Sequence, residues 1–188
     1  MPIRRIFIVF LLLWTACSDD APSNSTAETG ASEESNAALA EAAFQGDTAA
    51  VKALLADAQI DAVDEGGRSA LMLAAYDGHA DTVSLLCEKK ADPNLQDVNQ
   101  RTALMYAASG PNLPTVEILL AHGAEVNVTD GDEGWTALMF AAAEGHADIV
   151  QMLLDKGSSP DIADVDGETA LTFATNNGHA DVVKLLQR

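Results

Sequence analysis

Residues 135–160 read WTALMFAAAEGHADIVQMLLDKGSSP, and this stretch decides the fold. Leu138 and the small pair Ala141-Ala142 are three and four residues apart, which places them on one face of a helix. Gly145 then breaks the pattern at a point where a positive φ costs glycine nothing. A second apolar set, Val150, Met152, Leu153 and Leu154, resumes at helical spacing before Lys156-Gly157. The stretch therefore predicts two short helices joined by a tight turn, neither of which can bury its apolar face alone.

The same arrangement recurs on both sides. Leu39, Leu71, Leu104, Leu138 and Leu171 follow one another at spacings of 32, 33, 34 and 33 residues. Twelve residues after each stands Val51, Val83, Val116, Val150 and Val183. The small pair repeats as Ala42-Ala43, Ala74-Ala75, Ala107-Ala108 and Ala174-Thr175, and the turn glycine as Gly46, Gly78 and Gly178. Five units result, over residues 36–64, 65–97, 98–130, 131–164 and 165–188. Stacking such units buries what one unit cannot, so the fold class is an all-α repeat solenoid. The first unit has no hairpin before it and the last ends on Gln187-Arg188, so these two are expected to act as caps.

Thr102-Ala103-Leu104-Met105, Gly145-His146, Leu119-Leu120-Ala121-His122-Gly123-Ala124 and Asn127-Val128-Thr129-Asp130 together resemble the ankyrin repeat. The resemblance covers residues 36–188 and implies helix-turn-helix units joined by β-hairpin loops. The sequence departs from the family pattern with Ala at positions 70, 103, 137 and 170 where proline is usual, and with Met72, Met105, Met139 and Thr172 where histidine is usual. Pro111-Asn112-Leu113-Pro114 replaces Gly-His in the third unit, where Asn112 is expected to cap the second helix. Gly131-Asp132-Glu133 carries one extra residue at a hairpin tip.

Ten Lys and Arg stand against 29 Asp and Glu in 188 residues, a formal net charge of −19. Such a chain repels phosphate backbones, which excludes nucleic acid as a partner, and anionic headgroups, so membrane association requires an anchor. The N-terminus supplies one. Arg4-Arg5 precede the apolar run Ile6–Trp14 and then Thr15-Ala16-Cys17, the order of an export signal and too short to span a bilayer. The ending resembles a bacterial lipoprotein signal. That resemblance implies cleavage after residue 16, lipidation of Cys17 and an envelope location, in the periplasm and anchored at the outer membrane rather than the inner. Trp14 departs from the aliphatic residue usual three places before that cysteine. Removing residues 1–16 leaves eight basic residues against 29 acidic ones, a charge of −21. Residues 17–35, which hold no aromatic or large aliphatic side chain, are expected to be a disordered acidic tether.

Candidates for chemistry are few. His79, His146 and His179 occupy equivalent sites of different units and are expected to line up rather than converge on a metal, and His122 ends a helix. Cys87 aligns with an inward leucine and is expected to be buried and inert. The pairs Asp61/Asp64, Asn94/Asp97, Asn127/Asp130 and Asp161/Asp164 invite a calcium reading, but suit Asx turns better. With no nucleophile elbow, phosphate loop or zinc helix, neither an enzyme nor a cofactor is expected.

What the resemblance implies instead is partner binding on a concave face built from hairpin tips and exposed ends of first helices. The positions that match are Arg68, Arg101 and Trp135 before the Thr-x-Leu step, and Phe44, Tyr76, Asp77 and Glu144 after the small pair, with Asp132 and Glu133 on the rim. Trp135, Tyr76, Arg68 and Arg101 are expected to be exposed anchors. Leu73, Tyr106, Phe140 and Phe173 are expected in the core. The partner is another protein, one with a basic surface suiting the charge, and an inhibitor or immunity protein masking a basic enzyme site is one form of this. A metal or ligand site on the acidic fingers is the rival.

Overall fold

The computed structural model describes residues 26–187, with side-chain surroundings from Ser32 onward. The expected export signal, Cys17 and the first part of the tether lie outside the described residues.

Five helix pairs follow in order: α1 (Thr26–Phe44) with α2 (Thr48–Leu54), α3 (Ala70–Tyr76) with α4 (Ala80–Glu88), α5 (Ala103–Ala108) with α6 (Leu113–Ala121), α7 (Ala137–Glu144) with α8 (Ala147–Asp155), and α9 (Ala170–Asn176) with α10 (Ala180–Leu186). First helices stack on first helices, α1 through α9, and second helices make a parallel layer, α2 through α10. The periodic residues are what the two layers share. Leu39, Leu71, Leu104 and Leu138 are 1% exposed or less, and Val51, Val83, Val116 and Val150 are fully buried. Leu171 and Val183 are only half-buried, because among the described residues α9 and α10 have a neighbouring pair on one side only.

The turns of the first, second and fourth units are locked from the next unit. Gly145 has φ 80°, and a methyl group on it would lie 2.4 Å from Nδ1 of His179. The same ring puts Nε2 2.9 Å from the Ala143 carbonyl, which can only accept, so Nε2 carries the proton. His79 does the same to the Phe44 carbonyl at 2.9 Å. Asn112 stands in this place in the third unit and behaves like a histidine. It makes no capping bond to α6, contrary to the sequence expectation, and donates Nδ2 to the Tyr76 carbonyl at 3.3 Å. That carbonyl ends α3 without a helical partner, so it is the acceptor most in need of a donor. His122 bonds through Nδ1 to the Ile118 carbonyl at 2.8 Å.

The tether requires a correction. Residues 26–35 continue α1 instead of remaining unfolded. Ala27, Glu28, Ala31, Glu33 and Glu34 are good helix formers. The helix is already nucleated where Leu39, Ala42 and Ala43 pack, so its extension needs no new nucleus.

Candidate functional site

Between units the chain forms four fingers, each closed by the N–H of a leading aspartate: Asp64 to the Arg68 carbonyl, Asp97 to Arg101, Asp130 to Trp135 and Asp164 to Glu168. Oδ1 of each of these aspartates accepts the N–H groups inside its own finger, Gly66 and Arg68 on Asp64, Asn99 and Arg101 on Asp97, Asp166 and Glu168 on Asp164. The finger with the extra residue uses the same device on three donors, Glu133, Gly134 and Trp135, at 3.2, 2.9 and 3.0 Å. Adjacent fingers are tied by backbone bonds from Val98 to Gly66, Gly131 to Asn99 and Val165 to Glu133. Asp61, Asn94 and Asn127 accept N–H groups of the following unit. Of the residues that a calcium reading would enlist, Asp61, Asp64, Asn94, Asp97, Asn127, Asp130 and Asp164 therefore each have one oxygen engaged by backbone donors. Among the described residues, no three His, Cys, Asp or Glu side chains are placed to hold a metal ion.

The second carboxylate oxygen is what connects fingers to surface side chains. Asp64 Oδ2 lies 2.9 Å from Nε and 2.7 Å from a terminal nitrogen of Arg68. Burial pushes the Asp64 carboxyl up, but the Arg68 donors and charge, with the Gly66 N–H, outweigh it and hold the group below the usual carboxylate range. Asp97 Oδ2 accepts the Tyr106 hydroxyl at 2.6 Å. Asp130 Oδ2 is 3.5 Å from Nε of Arg101, an ion-pair distance without hydrogen-bond geometry. Arg101 also reaches Asp132 at 3.3 Å and lies 5.7 Å over the Phe140 ring. Turn chemistry thus positions Arg68, Tyr106 and Arg101 on one face.

Burial first, and the Asp97 carboxylate second, push the Tyr106 phenol up to about 12 from an ordinary 10.0. A folded-state pKa above the unfolded one favours the neutral phenol, so this contribution to stability is complete below pH 10 and is lost as pH rises to about 12. The stability difference between the wild type and Tyr106→Phe should accordingly shrink over that window in urea titrations. A constant difference from pH 8 to about 11.5 would show that the hydrogen bond does not control the ionisation.

Along this face runs a row of apolar side chains. Tyr106, Phe140 and Phe173 are partly buried and pack against the core, as expected, while each keeps part of its surface open, and Leu73 is half-buried. One expectation fails. Trp135 is not an exposed anchor. It is half-buried, with ring centroids 5.1 Å from Phe140 and 4.3 Å from Phe173, and its indole N–H is buried without a partner. The cause is that the fourth side chain of a first helix leans on the flank of its own finger or the preceding one, so that Phe140 and Phe173 both close on Trp135. Tyr76 does stand out, 53% exposed, with its ring set edge-on to Tyr106 at 6.0 Å. Phe44 is 41% exposed. Phe44, Arg68, Met72, Leu73, Tyr76 and Tyr106 line a recess of about 260 Å³. Arg101, Asp130, Asp132, Glu133, Trp135 and Phe140 line another of about 400 Å³. Asp77 and Glu144 are exposed where α3 and α7 end.

A family model for ankyrin repeats in three copies matches residues 39–130 and 112–188. This chain belongs to the ankyrin-repeat family. No curated protein matches it as a relative. Ankyrin repeats generally serve protein–protein interaction and are typically non-enzymatic binding modules. The departures from the ankyrin pattern keep its start signal by other means: the Thr136 hydroxyl accepts the Met139 N–H at 3.3 Å while Met139 sulfur receives the Thr136 N–H, and Thr172 accepts the Thr169 N–H. Cys87, 3% exposed, has its thiol pushed up to about 11 by burial, a buried packing residue with little thiolate character at neutral pH.

Proposed function

We propose that this ankyrin-repeat chain is an exported, lipid-anchored module of the bacterial cell envelope that binds a partner protein on the face made by its fingers and first helices. The observation that carries the reading is the row of rings from Phe44 to Phe173 that keep part of their surface open, with Tyr106 bonded to Asp97 and Arg101 paired with Asp130 among them. Aromatic and arginine side chains are those that most often dominate protein interfaces. The anchor rests on Arg4-Arg5, the apolar run Ile6–Trp14 and Thr15-Ala16-Cys17.

The test is cross-linking in envelope fractions, comparing the wild type with Phe44→Ala combined with Tyr76→Ala. Both rings are largely exposed, so the variant folds and the partner cross-link should fall by tenfold or more. Equal capture by both chains rejects the assigned face. Cys17→Ser should yield an unprocessed or soluble chain, and unchanged membrane fractionation refutes the lipid anchor.

A further inference from the structure

We infer that the groove selects a cationic, apolar-tipped segment of its partner: lysine or arginine side chains set against the third and fourth fingers, and an aliphatic or aromatic side chain in the recess between Phe44 and Tyr106. This rests on the reading of that face as the interaction surface and names the chemistry it takes.

The first observation is how charge is divided between the two layers. The fingers and first helices of units two to five, residues 62–77, 95–110, 128–145 and 162–178, carry eleven carboxylates, two arginines and no lysine. Lysines fall on the other layer or just after it: Lys52 in α2, Lys89 and Lys90 after α4, Lys156 after α8 and Lys184 in α10. The two arginines do not offset the excess, since Arg68 is bound to Asp64 at 2.7 Å and Arg101 stands between Asp130 and Asp132 at 3.5 and 3.3 Å. Glu65, Glu133 and Asp166 are exposed, and none has a cationic partner among the described residues. A groove of this kind offers an anion nothing and a cation several unpaired carboxylates.

The second observation is that the groove already holds one cation in this manner. The Arg101 guanidinium lies 5.7 Å over the Phe140 ring and is within ion-pair distance of Asp130 and Asp132. Ring face and carboxylate act together on a cation that remains partly solvated. The recess that Arg101 lines also holds Glu133, which has no cationic partner among the described residues, and the Trp135 ring, so a partner's ammonium entering on that side meets a carboxylate and a ring as well. Two units away the chemistry changes. The recess at Phe44, Leu73, Tyr76 and Tyr106 is walled by rings and aliphatic carbons, with its one charge, Arg68, already paired. An apolar side chain fits that end and a cation does not.

The experiment uses the chain with Cys17→Ser and three labelled peptides of about a dozen residues, read by fluorescence anisotropy. One alternates Lys with Leu and Phe, the second has Glu for every Lys, and the third keeps Lys but has Ser for every Leu and Phe. The Lys-Leu-Phe peptide should bind at least tenfold tighter than the Glu peptide, and raising salt from about 0.05 to 0.5 M should weaken it by tenfold or more. Glu133→Gln with Asp166→Asn should weaken both Lys peptides about threefold or more, a change equal to about 0.65 kcal/mol. Phe44→Ala with Tyr76→Ala should weaken only the Lys-Leu-Phe peptide, and Lys89→Gln with Lys90→Gln neither.

Equal binding of the Glu peptide, insensitivity to salt, or no binding of any peptide at millimolar concentration overturns the cationic occupant. The underlying reading is judged separately with the cross-linked envelope partner. Capture that is lost in Phe44→Ala with Tyr76→Ala but withstands high salt and Glu133→Gln with Asp166→Asn leaves the interaction face standing and rejects its cationic selectivity. Capture that withstands every variant rejects both.

Discussion

Replacing Asp130 with alanine is expected to cost about 3–5 kcal/mol, the usual loss when one partner of a buried, hydrogen-bonded charge is removed. Asp130 is 6% exposed. Its Oδ1 accepts three backbone N–H groups, and its Oδ2 faces Arg101. Alanine would orphan all three donors and leave Arg101 with Asp132 as its remaining carboxylate. The finger that carries Asp132, Glu133 and Trp135 should then lose its shape, and peptide binding should fall with stability. Asp130→Asn, which keeps an acceptor at Oδ1 and loses the charge, should cost less than half as much. Urea unfolding monitored by circular dichroism gives both numbers. A loss below about 1 kcal/mol for the alanine variant would mean that water replaces the carboxylate at no great cost, and that the finger is not built on it.

Leu138→Ala should be as damaging through a different route. The side chain is fully buried in α7, which packs between α5 and α9. Removing it leaves a cavity in a layer too regular to collapse, at a cost of about 3–5 kcal/mol. In a solenoid each unit contacts only its neighbours, so the loss falls on two interfaces and not on the whole. The unfolding curve should therefore split, with units four and five melting before the first three. Leu171→Ala, at the half-buried equivalent in α9, should cost roughly half as much. Equal losses at the two positions, or one unbroken transition in Leu138→Ala, would contradict this account of where the cooperativity resides.

The candidate site was legible in part, and its residues show why. Phe44, Tyr76 and Arg68 could be placed on the surface, and Arg101 partly so, because each stands at a fixed count from a periodic marker, Phe44 and Tyr76 after it and the two arginines before it. Trp135 could not be placed that way. Its burial comes from Phe173 on the next unit and Phe140 on its own, a contact across a finger whose extra residue the count registers but cannot orient. Tyr106, Phe140 and Phe173 pack against the core as their apolar positions imply, but how much of each ring stays open depends on the finger beside it. An aromatic residue at an apolar family position is consistent with core or groove until the neighbouring finger is known. The one signal available was that all three recur directly before the small pair, where Leu73 also stands.

The amino-acid sequence by itself determined the number of units, their register, the two layers and the structural duty of the histidines and turn aspartates. All of these follow from short-range rules repeated at a fixed period: helical spacing, the positive φ of a turn glycine, and carboxylates that satisfy nearby backbone donors. Only the tertiary structure decided how the second oxygens of Asp64, Asp97 and Asp130 are used, on Arg68, Tyr106 and Arg101, and that α1 runs back to Thr26. It also decided which rings of the row stay open to a partner. Those outcomes depend on side chains from different units meeting in space, where a shift of a few ångströms changes the partner and no period in the chain records it.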